Sequence, residues 1–307
     1  MKIFDAHCDV LYQLWKDPTL SFEDSPHLHI TYEQLQQTGG KVQCFAIFVP
    51  DDVPYGTKFQ AALQMVDIFY KKVIEPFAKM KPILTRHDLT ALQSDEIGAI
   101  LTLEGVDAVE GSVLNYETLL RLGVRSVGLT WNYANLAADG VLEERGAGLS
   151  SFGKRLVAIN NAYNLWTDVS HLCEQAFWDV METAHKPIAT HSNAKALCGH
   201  PRNLTDNQIK AMFEHDGRIG VTFVPQFLCD NEQAALTDVL HHLDHLCSLG
   251  GEDYVGFGSD FDGIDKTVKG LERYHTYEKL INALLNNYSD SQVEKFLFSN
   301  FYNDFLV

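Results

Sequence analysis

Basic residues are scarce in this sequence: its 307 residues include 24 Lys and Arg against 41 Asp and Glu, a formal net charge of −17. A field of that sign repels phosphate groups, which argues against nucleic acids and anionic membrane surfaces as partners. No run approaches the roughly 18 uncharged apolar residues that a membrane-spanning helix needs. The opening MKIFDAHCDV lacks the apolar region and cleavage site of a secretory leader. We therefore expect a cytoplasmic protein that neither crosses a membrane nor binds nucleic acid.

Paired cysteines and interdomain linkers are missing too. The six cysteines are scattered without a CxxC pair, and in a cytoplasmic chain we expect them to be reduced, mostly buried residues. No low-complexity tract, charge block or Pro/Gly-rich linker divides the chain. Apolar residues make up 46% of the sequence, which is ordinary for a globular protein. We predict a single domain over residues 1–307.

What recurs along the chain is a short apolar or β-branched run followed by an amphipathic helical stretch. Several of the runs are almost continuously apolar, as parallel strands buried on both faces are. Helix-like spacing occurs in Gln60–Met80, Leu172–Ala184 and Thr237–Leu249, and Thr205 and Ser289 have the pattern of helix N-caps. The eight predicted strands are Lys2–His7, Val42–Val49, Ile97–Glu104, Val124–Trp131, Leu165–His171, Pro187–His191, Ile219–Val224 and Tyr254–Ser259.

Eight alternating β–α units favour a parallel sheet closed into a single-domain, TIM-like (β/α)8 barrel of the α/β class. The alternative is an open, doubly wound sheet. That fold usually carries a Gly-rich phosphate loop after its first strand, where this chain has HCDVL. The barrel predicts that active residues lie at the C-terminal ends of several strands.

Polar side chains of metal-binding type follow five of the predicted strands. His7 and Asp9 share a face of one strand end and can bind one cation. His171 and His191, at adjacent strand ends, can bind a second, and Glu104 can bridge the two. Imidazole nitrogens mixed with carboxylate oxygens suit Zn²⁺, with Mn²⁺ or Co²⁺ as substitutes.

Each of these features also has an ordinary structural explanation when it is taken alone. An HxD pair is common, His171 could be a core histidine, and the SDFDG segment that begins with Ser259 could be a turn. The metal hypothesis depends on five strand ends of one barrel each offering a ligand type. By contrast, we expect His241, His242 and His245 to lie on the solvated face of an outer helix.

At these residues the sequence resembles the membrane dipeptidase (renal dipeptidase) family of zinc metallopeptidases. The resemblance runs from the first residues to the segment near position 260, and more loosely to the C-terminus. It is carried by the segments DAHCDVL, CFAIFVP, LTLEGVDAV, TDVSHLCEQAFWDV, THSNAKALCGHPRNLTDNQI and YVGFGSDFDGI. It implies a TIM-like barrel with two zinc ions at its C-terminal mouth, and a homodimer.

The resemblance also implies roles for single residues. His7 and Asp9 correspond to ligands of the first zinc, His171 and His191 to ligands of the second, and Glu104 to the bridging carboxylate. Arg202 matches an arginine that grips the substrate carboxylate, and Asp260 matches the catalytic aspartate near the bridging water.

One segment departs from the family pattern, because LTWNYAN stands where the family often has LTH followed by Asn. The histidine of that pattern contacts the substrate, but an indole can only donate one hydrogen bond. We expect Trp131 or Asn132 to supply a neutral donor to the substrate, or else a different substrate range. Asp168 is a candidate to support a ligand histidine.

The sequence therefore predicts a zinc-dependent dipeptidase that attacks the peptide bond with a metal-bridging hydroxide. A clamp on the free carboxylate would limit substrates to small dipeptides, and C-terminal D-residues are candidates. One alternative keeps the metals but acts on another small amide, such as an N-acyl amino acid or a β-lactam. A non-catalytic binding protein that kept the barrel is a further alternative.

Overall fold

The computed structural model describes residues 1–231 and 233–306, and its centre is a closed barrel of parallel strands. Eight strands close the barrel in this part of the chain, and a short ninth strand, β3, pairs only with β4. The strands are β1 (Ile3–Asp5), β2 (Gly40–Phe48), β3 (Met80–Pro82), β4 (Ile97–Glu104), β5 (Val124–Gly128), β6 (Trp166–Asp168), β7 (Pro187–Ala189), β8 (Arg218–Val221) and β9 (Val255–Phe257).

Closure of the barrel is visible at β1, where Asp5 lies beside Gln43 of β2 on one side and Phe257 of β9 on the other. β2 and β4 form the longest pairing, which runs to Phe48 beside Glu104. This confirms the predicted α/β barrel. The predicted strand Ile97–Glu104 has the observed bounds, whereas the other seven strands end one to three residues before their predicted ends.

Helices surround the barrel, and no helix in the described residues is both long and apolar enough to cross a membrane. The two predicted helix starts are confirmed, because Thr205 and Ser289 each form a capping box with a glutamine three residues later. The α-helices are α1 (Val10–Lys16), α2 (Tyr32–Thr38), α3 (Lys58–Ile68), α4 (Arg86–Ala91), α5 (Val113–Arg121), α6 (Ser151–Tyr163), α7 (Glu174–Thr183), α8 (Asp206–Glu214), α9 (Pro225–Leu228), α10 (Leu236–Ser248), α11 (Tyr277–Asn287), α12 (Asp290–Glu294) and α13 (Asn300–Asp304).

The expected helix over Gln60–Met80 is wrong at its C-terminal end. The α-helix stops at Ile68, a π-helical stretch continues to Ile74, and Met80 already belongs to β3. Pro76 follows closely, and a proline has no backbone N–H with which to continue the helical hydrogen bonds. A three-residue strand is too short to leave its own periodicity in the sequence.

Aromatic residues close the barrel at the N-terminal ends of the strands. Phe4 and Trp166 project from β1 and β6, and the last helix packs Phe301 against Phe4 with 5.6 Å between ring centroids. Trp166 Nε1 donates a hydrogen bond of 2.6 Å to Asp304 on the same helix. The barrel therefore has one sealed end, which leaves the opposite end for a site.

Truncating this seal should destabilise the whole fold. Phe301 is 1% exposed, so Phe301→Ala should lower the free energy of unfolding by about 3–5 kcal/mol through lost burial and a residual cavity. Urea unfolding followed by circular dichroism measures the change. Leu285→Ala, at a side chain that is 38% exposed, is the control. A loss for Phe301→Ala no larger than that of the control would contradict the role of the seal.

Candidate metal centre

The six side chains predicted for the metal chemistry meet at the open end of the barrel. Each comes from the C-terminal end of a strand or the residues just after it, on β1, β4, β6, β7 and β9. Five of the side chains are 9% exposed or less and the sixth is 15% exposed. They are His7, Asp9, Glu104, His171, His191 and Asp260.

One half of the cluster surrounds the imidazole of His7. Its Nε2 lies 3.4 Å from Asp9 Oδ2, 3.6 Å from Glu104 Oε2 and 3.8 Å from Asp260 Oδ1. His7 Nε2 and Asp9 Oδ1 are buried, and neither has a hydrogen-bond partner among the described residues. Buried polar atoms are nearly always satisfied, so these two indicate a site for a bound group.

The other half of the cluster pairs two imidazoles with the second oxygen of Glu104. Glu104 Oε1 lies 2.8 Å from His171 Nε2 and 3.6 Å from His191 Nε2. The two Nε2 atoms are 2.9 Å apart. Glu104 thus offers one oxygen to each half, which is the arrangement expected of a bridging carboxylate.

Burial makes this collection of charges costly. Loss of solvent raises the pKa of Asp9 and of Asp260 to about 7 each, and that of Glu104 well above its usual value. The same desolvation lowers the pKa of His171 and His191 well below the usual range. Divalent cations would remove this cost, because they favour ionised carboxylates and neutral imidazoles. The donor set fits Zn²⁺ or a similar ion.

The segment Ser259–Gly263 is both a turn and part of the site. Asp260 and Asp262 have left-handed backbone, with φ of +61° and +68°, which Asp tolerates better than most residues. The Asp262 carboxylate accepts hydrogen bonds from the backbone N–H groups of His29 (2.7 Å) and Ile30 (3.1 Å). That anchor leaves Asp260 as the aspartate of the segment that faces the metal ligands.

Gly263 is a site residue that the sequence analysis missed. A Cβ atom at this position would overlap Asp9 Oδ2 and stand 2.5 Å from Asp260 Oδ1. Only glycine lets the two carboxylates approach the turn so closely. The glycine of SDFDG was a visible signal, but its meaning depends on Asp9, 254 positions away in the sequence.

A cavity of about 90 Å³ opens over the cluster. Trp131 is half-buried in its wall, and its ring centroid lies 5.3 Å from that of Phe48. Phe48 and Tyr12 form the rest of an aromatic wall that the sequence analysis did not identify. The cavity is lined by Asp9, Tyr12, Phe48, Glu104, Trp131, His171, Asp260 and Gly263.

Asn132, one of the two predicted donors to the substrate, places its side-chain oxygen against His171, a predicted metal ligand. Asn132 Oδ1 lies 2.9 Å from His171 Nδ1. If His171 donates this hydrogen bond, its Nε2 keeps a lone pair directed at Glu104. The contact joins the loop after β5 to the end of β6.

Arg202 is buried beside the cluster. One guanidinium nitrogen donates to the backbone oxygen of His191 at 3.4 Å, and the group lies 5.2 Å from the centre of the Phe227 ring. Burial lowers the pKa of Arg202 to about 10, although Asp260 and Glu104 act in the opposite direction. Its Nε has no partner among the described residues, and the side chain lines a neighbouring cavity of about 250 Å³.

The expectation for His242 is wrong, because this side chain is fully buried. Its Nδ1 accepts a hydrogen bond from the Ala194 N–H, and its Nε2 lies 3.1 Å from the Leu228 oxygen. The spacing of the three histidines predicted one helix, but it could not reveal that the loop after β7 and the short helix α9 cover His242.

Comparison with known proteins identifies the family. The model of the membrane dipeptidase family (peptidase family M19) matches residues 1–303. An uncharacterized protein in the pqqA 5' region of Klebsiella pneumoniae is 35% identical over 255 residues, which cover 77% of this chain and 92% of that protein. Dipeptidase aclJ of Aspergillus oryzae is 35% identical over 195 residues, which cover 62% of this chain and 46% of that protein.

Solved structures of metallopeptidases are also similar to this chain. A metallo peptidase from Rhodobacter sphaeroides, liganded with a phosphinate mimic of the dipeptide L-Ala-D-Ala, is 27% identical with a TM-score of 0.93. The dipeptidase AC, a metallo peptidase of family M19, is 28% identical, also with a TM-score of 0.93. Each match covers 99% of this chain and 98% of the other. The chain belongs to the membrane dipeptidase family of metallopeptidases, which confirms the resemblance seen in its sequence.

Adding a methyl group at Gly263 should disturb the metal centre more than the fold. In Gly263→Ala the new Cβ pushes on the carboxylates of Asp9 and Asp260, so the affinity for divalent cations should fall about tenfold or more. Competition with a chelating dye measures this affinity. Gly199→Ala is the matched control, because a Cβ there meets nothing within 4 Å. Equal affinities for both variants would contradict the assigned geometry.

Proposed function

We propose that this protein is a dipeptidase that uses two zinc ions to hydrolyse the peptide bond of small dipeptides. The observation that carries the proposal is the position of Glu104, whose two oxygens lie near different imidazoles, Oε2 near His7 and Oε1 near His171. Membership of a metallopeptidase family, the unpartnered donor atoms and the cavity above them support it.

The family resemblance assigns the ligand sets, and the distances within the cluster support the assignment. His7 and Asp9 would hold one cation, His171 and His191 would hold the other, and Glu104 would contact both. When bound, such a pair of ions lowers the pKa of a shared water towards neutrality and polarises the carbonyl of the scissile bond. Mn²⁺ and Co²⁺ are accepted by the same donor types.

Asp260 is the proposed proton carrier. Its carboxyl group lines the cavity, lies 3.8 Å from His7 Nε2 and belongs to a turn anchored through Asp262. It would accept the proton of the attacking water and deliver it to the nitrogen of the leaving amino acid. A carboxyl group that both accepts and donates in one cycle acts as general base and then general acid.

Arg202 is the proposed clamp for the C-terminal carboxylate of the substrate. It is a buried cation with an unpartnered Nε, held in place by the His191 oxygen and the Phe227 ring. A guanidinium can bind a carboxylate through two parallel hydrogen bonds. Because Arg202 contacts the backbone of His191, a substrate carboxylate bound there would lie close to the scissile bond, which favours dipeptides.

Acceptance of D-residues at the C-terminal position is part of the proposal. The related Rhodobacter sphaeroides structure is liganded with a mimic of L-Ala-D-Ala, which supports this extension to the present chain. A cytoplasmic location and a homodimer stay predictions from the sequence and from the family resemblance.

Replacing the carboxylate of Glu104 with a neutral amide should release metal. After zinc supplementation and removal of excess metal, elemental analysis should give about two zinc ions per chain for the wild type and one or fewer for Glu104→Gln. Dipeptide hydrolysis should fall with the metal content. Glu214→Gln, at an exposed carboxylate on α8, should keep both ions. A wild-type content near zero would reject the two-metal proposal.

If Arg202 binds the substrate carboxylate, the effect of replacing it should depend on whether the substrate has a free carboxylate. Arg202→Ala should lower kcat/KM for a free dipeptide by about ten- to a hundredfold, mainly through KM, because a charge-assisted hydrogen bond is lost. The same substitution should change kcat/KM for the matching dipeptide amide by much less. Arg155→Ala, at an exposed arginine on α6, is the control variant. Equal losses on both substrates would reject the clamp.

A further inference from the structure

A hydrogen-bonded relay connects the ligand histidine His191 to a buried carboxylate. Thr190 Oγ1 lies 2.8 Å from His191 Nδ1 and also hydrogen-bonds to Asp168 Oδ2. Thr190 and Asp168 are 2% and 8% exposed, so water does not compete freely for these contacts. The relay reaches the nitrogen of His191 that faces away from Glu104.

Asp168 is held by several donors from two neighbouring strand ends. Its Oδ1 accepts from the Ser170 N–H at 3.0 Å, from the Ser170 hydroxyl at 2.7 Å and from the Thr190 N–H at 3.1 Å. Every one of these partners donates, so the Asp168 carboxylate serves only as a hydrogen-bond acceptor here. Asp168 therefore acts as a fixed acceptor at the junction of β6 and β7.

The direction of the relay follows from counting protons. The Thr190 hydroxyl has a single proton, and an ionised Asp168 can only accept it. The Ser170 hydroxyl, 3.4 Å from Thr190 Oγ1, already donates to Asp168 and accepts from the His191 N–H. The Thr190 oxygen must then accept a hydrogen bond from His191 Nδ1–H, which leaves a lone pair on His191 Nε2.

We propose that Thr190 is a positioning residue that, through Asp168, fixes His191 as the Nδ1–H tautomer with its Nε2 lone pair directed at the metal centre. The proposal rests on the proposed function in that His191 is taken as a metal ligand. Nε2 of His191 lies 3.6 Å from Glu104 Oε1 and 2.9 Å from His171 Nε2, where a cation shared by these groups would sit. An imidazole held in this way loses less freedom when it binds a metal.

The two imidazoles at this half of the centre are supported differently. His171 contacts a neutral amide oxygen of Asn132, on the loop after β5, whereas His191 contacts a hydroxyl that is backed by a carboxylate. Because the supports do not share a residue, changing Thr190 leaves the support of His171 in place.

Metal affinity measured by chelator competition tests the relay. Thr190→Val keeps the side-chain shape but removes the hydroxyl, and should weaken zinc binding at this half of the centre by about ten- to a hundredfold. Thr190→Ser restores the hydroxyl and should stay close to the wild type. Thr222→Val is the matched control, because it makes the same change at a buried threonine whose hydroxyl has no hydrogen-bond partner among the described residues. Wild-type affinity in Thr190→Val, or an equal loss in Thr222→Val, would overturn the proposal.

A second measurement reads the tautomer without metal or activity. In ¹⁵N-labelled, metal-free wild-type protein, the ring of His191 should carry its proton on Nδ1, and Asp168→Asn should disturb this preference because an amide can donate to the hydroxyl and reverse the relay. Wild-type His191 protonated on Nε2 would overturn the proposal even if a valine variant failed to fold. A protein that binds two zinc ions and shows this tautomer, yet hydrolyses no dipeptide, would reject the proposed function while the relay stands.

Discussion

The mouth of this barrel is organised around the cost of burying three carboxylates and three imidazoles within a few ångströms of one another. A buried charge without a partner is expensive, and proteins normally avoid it, neutralise it or pair it. Here, loss of solvent raises the pKa of the carboxyl groups of Asp9, Glu104 and Asp260. Divalent cations would provide the compensation that the surrounding side chains do not.

The barrel can hold this unfavourable cluster because its frame is stable elsewhere. Parallel strands place all their C-terminal ends at one rim, so residues distant in sequence meet there without long flexible connections. The opposite end is sealed by aromatic residues from β1, β6 and the last helix. Local contacts then position individual side chains. Asp262 holds the turn that carries Asp260, and Gly263 leaves room for the neighbouring carboxylates. The packing that stabilises the fold and the polar cluster thus lie at opposite ends of the barrel.

The sequence was sufficient to predict the barrel and to bring together the six polar residues at its mouth. Buried parallel strands leave continuous apolar runs, and the polar residue that ends each run is conspicuous for that reason. Features created by contacts between distant loops were not predictable. Asn132 reaches His171, Gly263 reaches Asp9, and the loops over α10 bury His242, yet none of these pairs leaves a local pattern. The short strand β3 was missed because three residues are too few to leave a periodicity in the sequence.

Anomalous diffraction at the zinc absorption edge, on crystals of zinc-supplemented protein, tests the central claim most directly. The account predicts two peaks at the barrel mouth, one bound by His7 and Asp9 and the other by His171 and His191, with Glu104 about 2.0–2.2 Å from each. Absence of any peak at that position, or a single ion that leaves one pair of donors unbound, would contradict it.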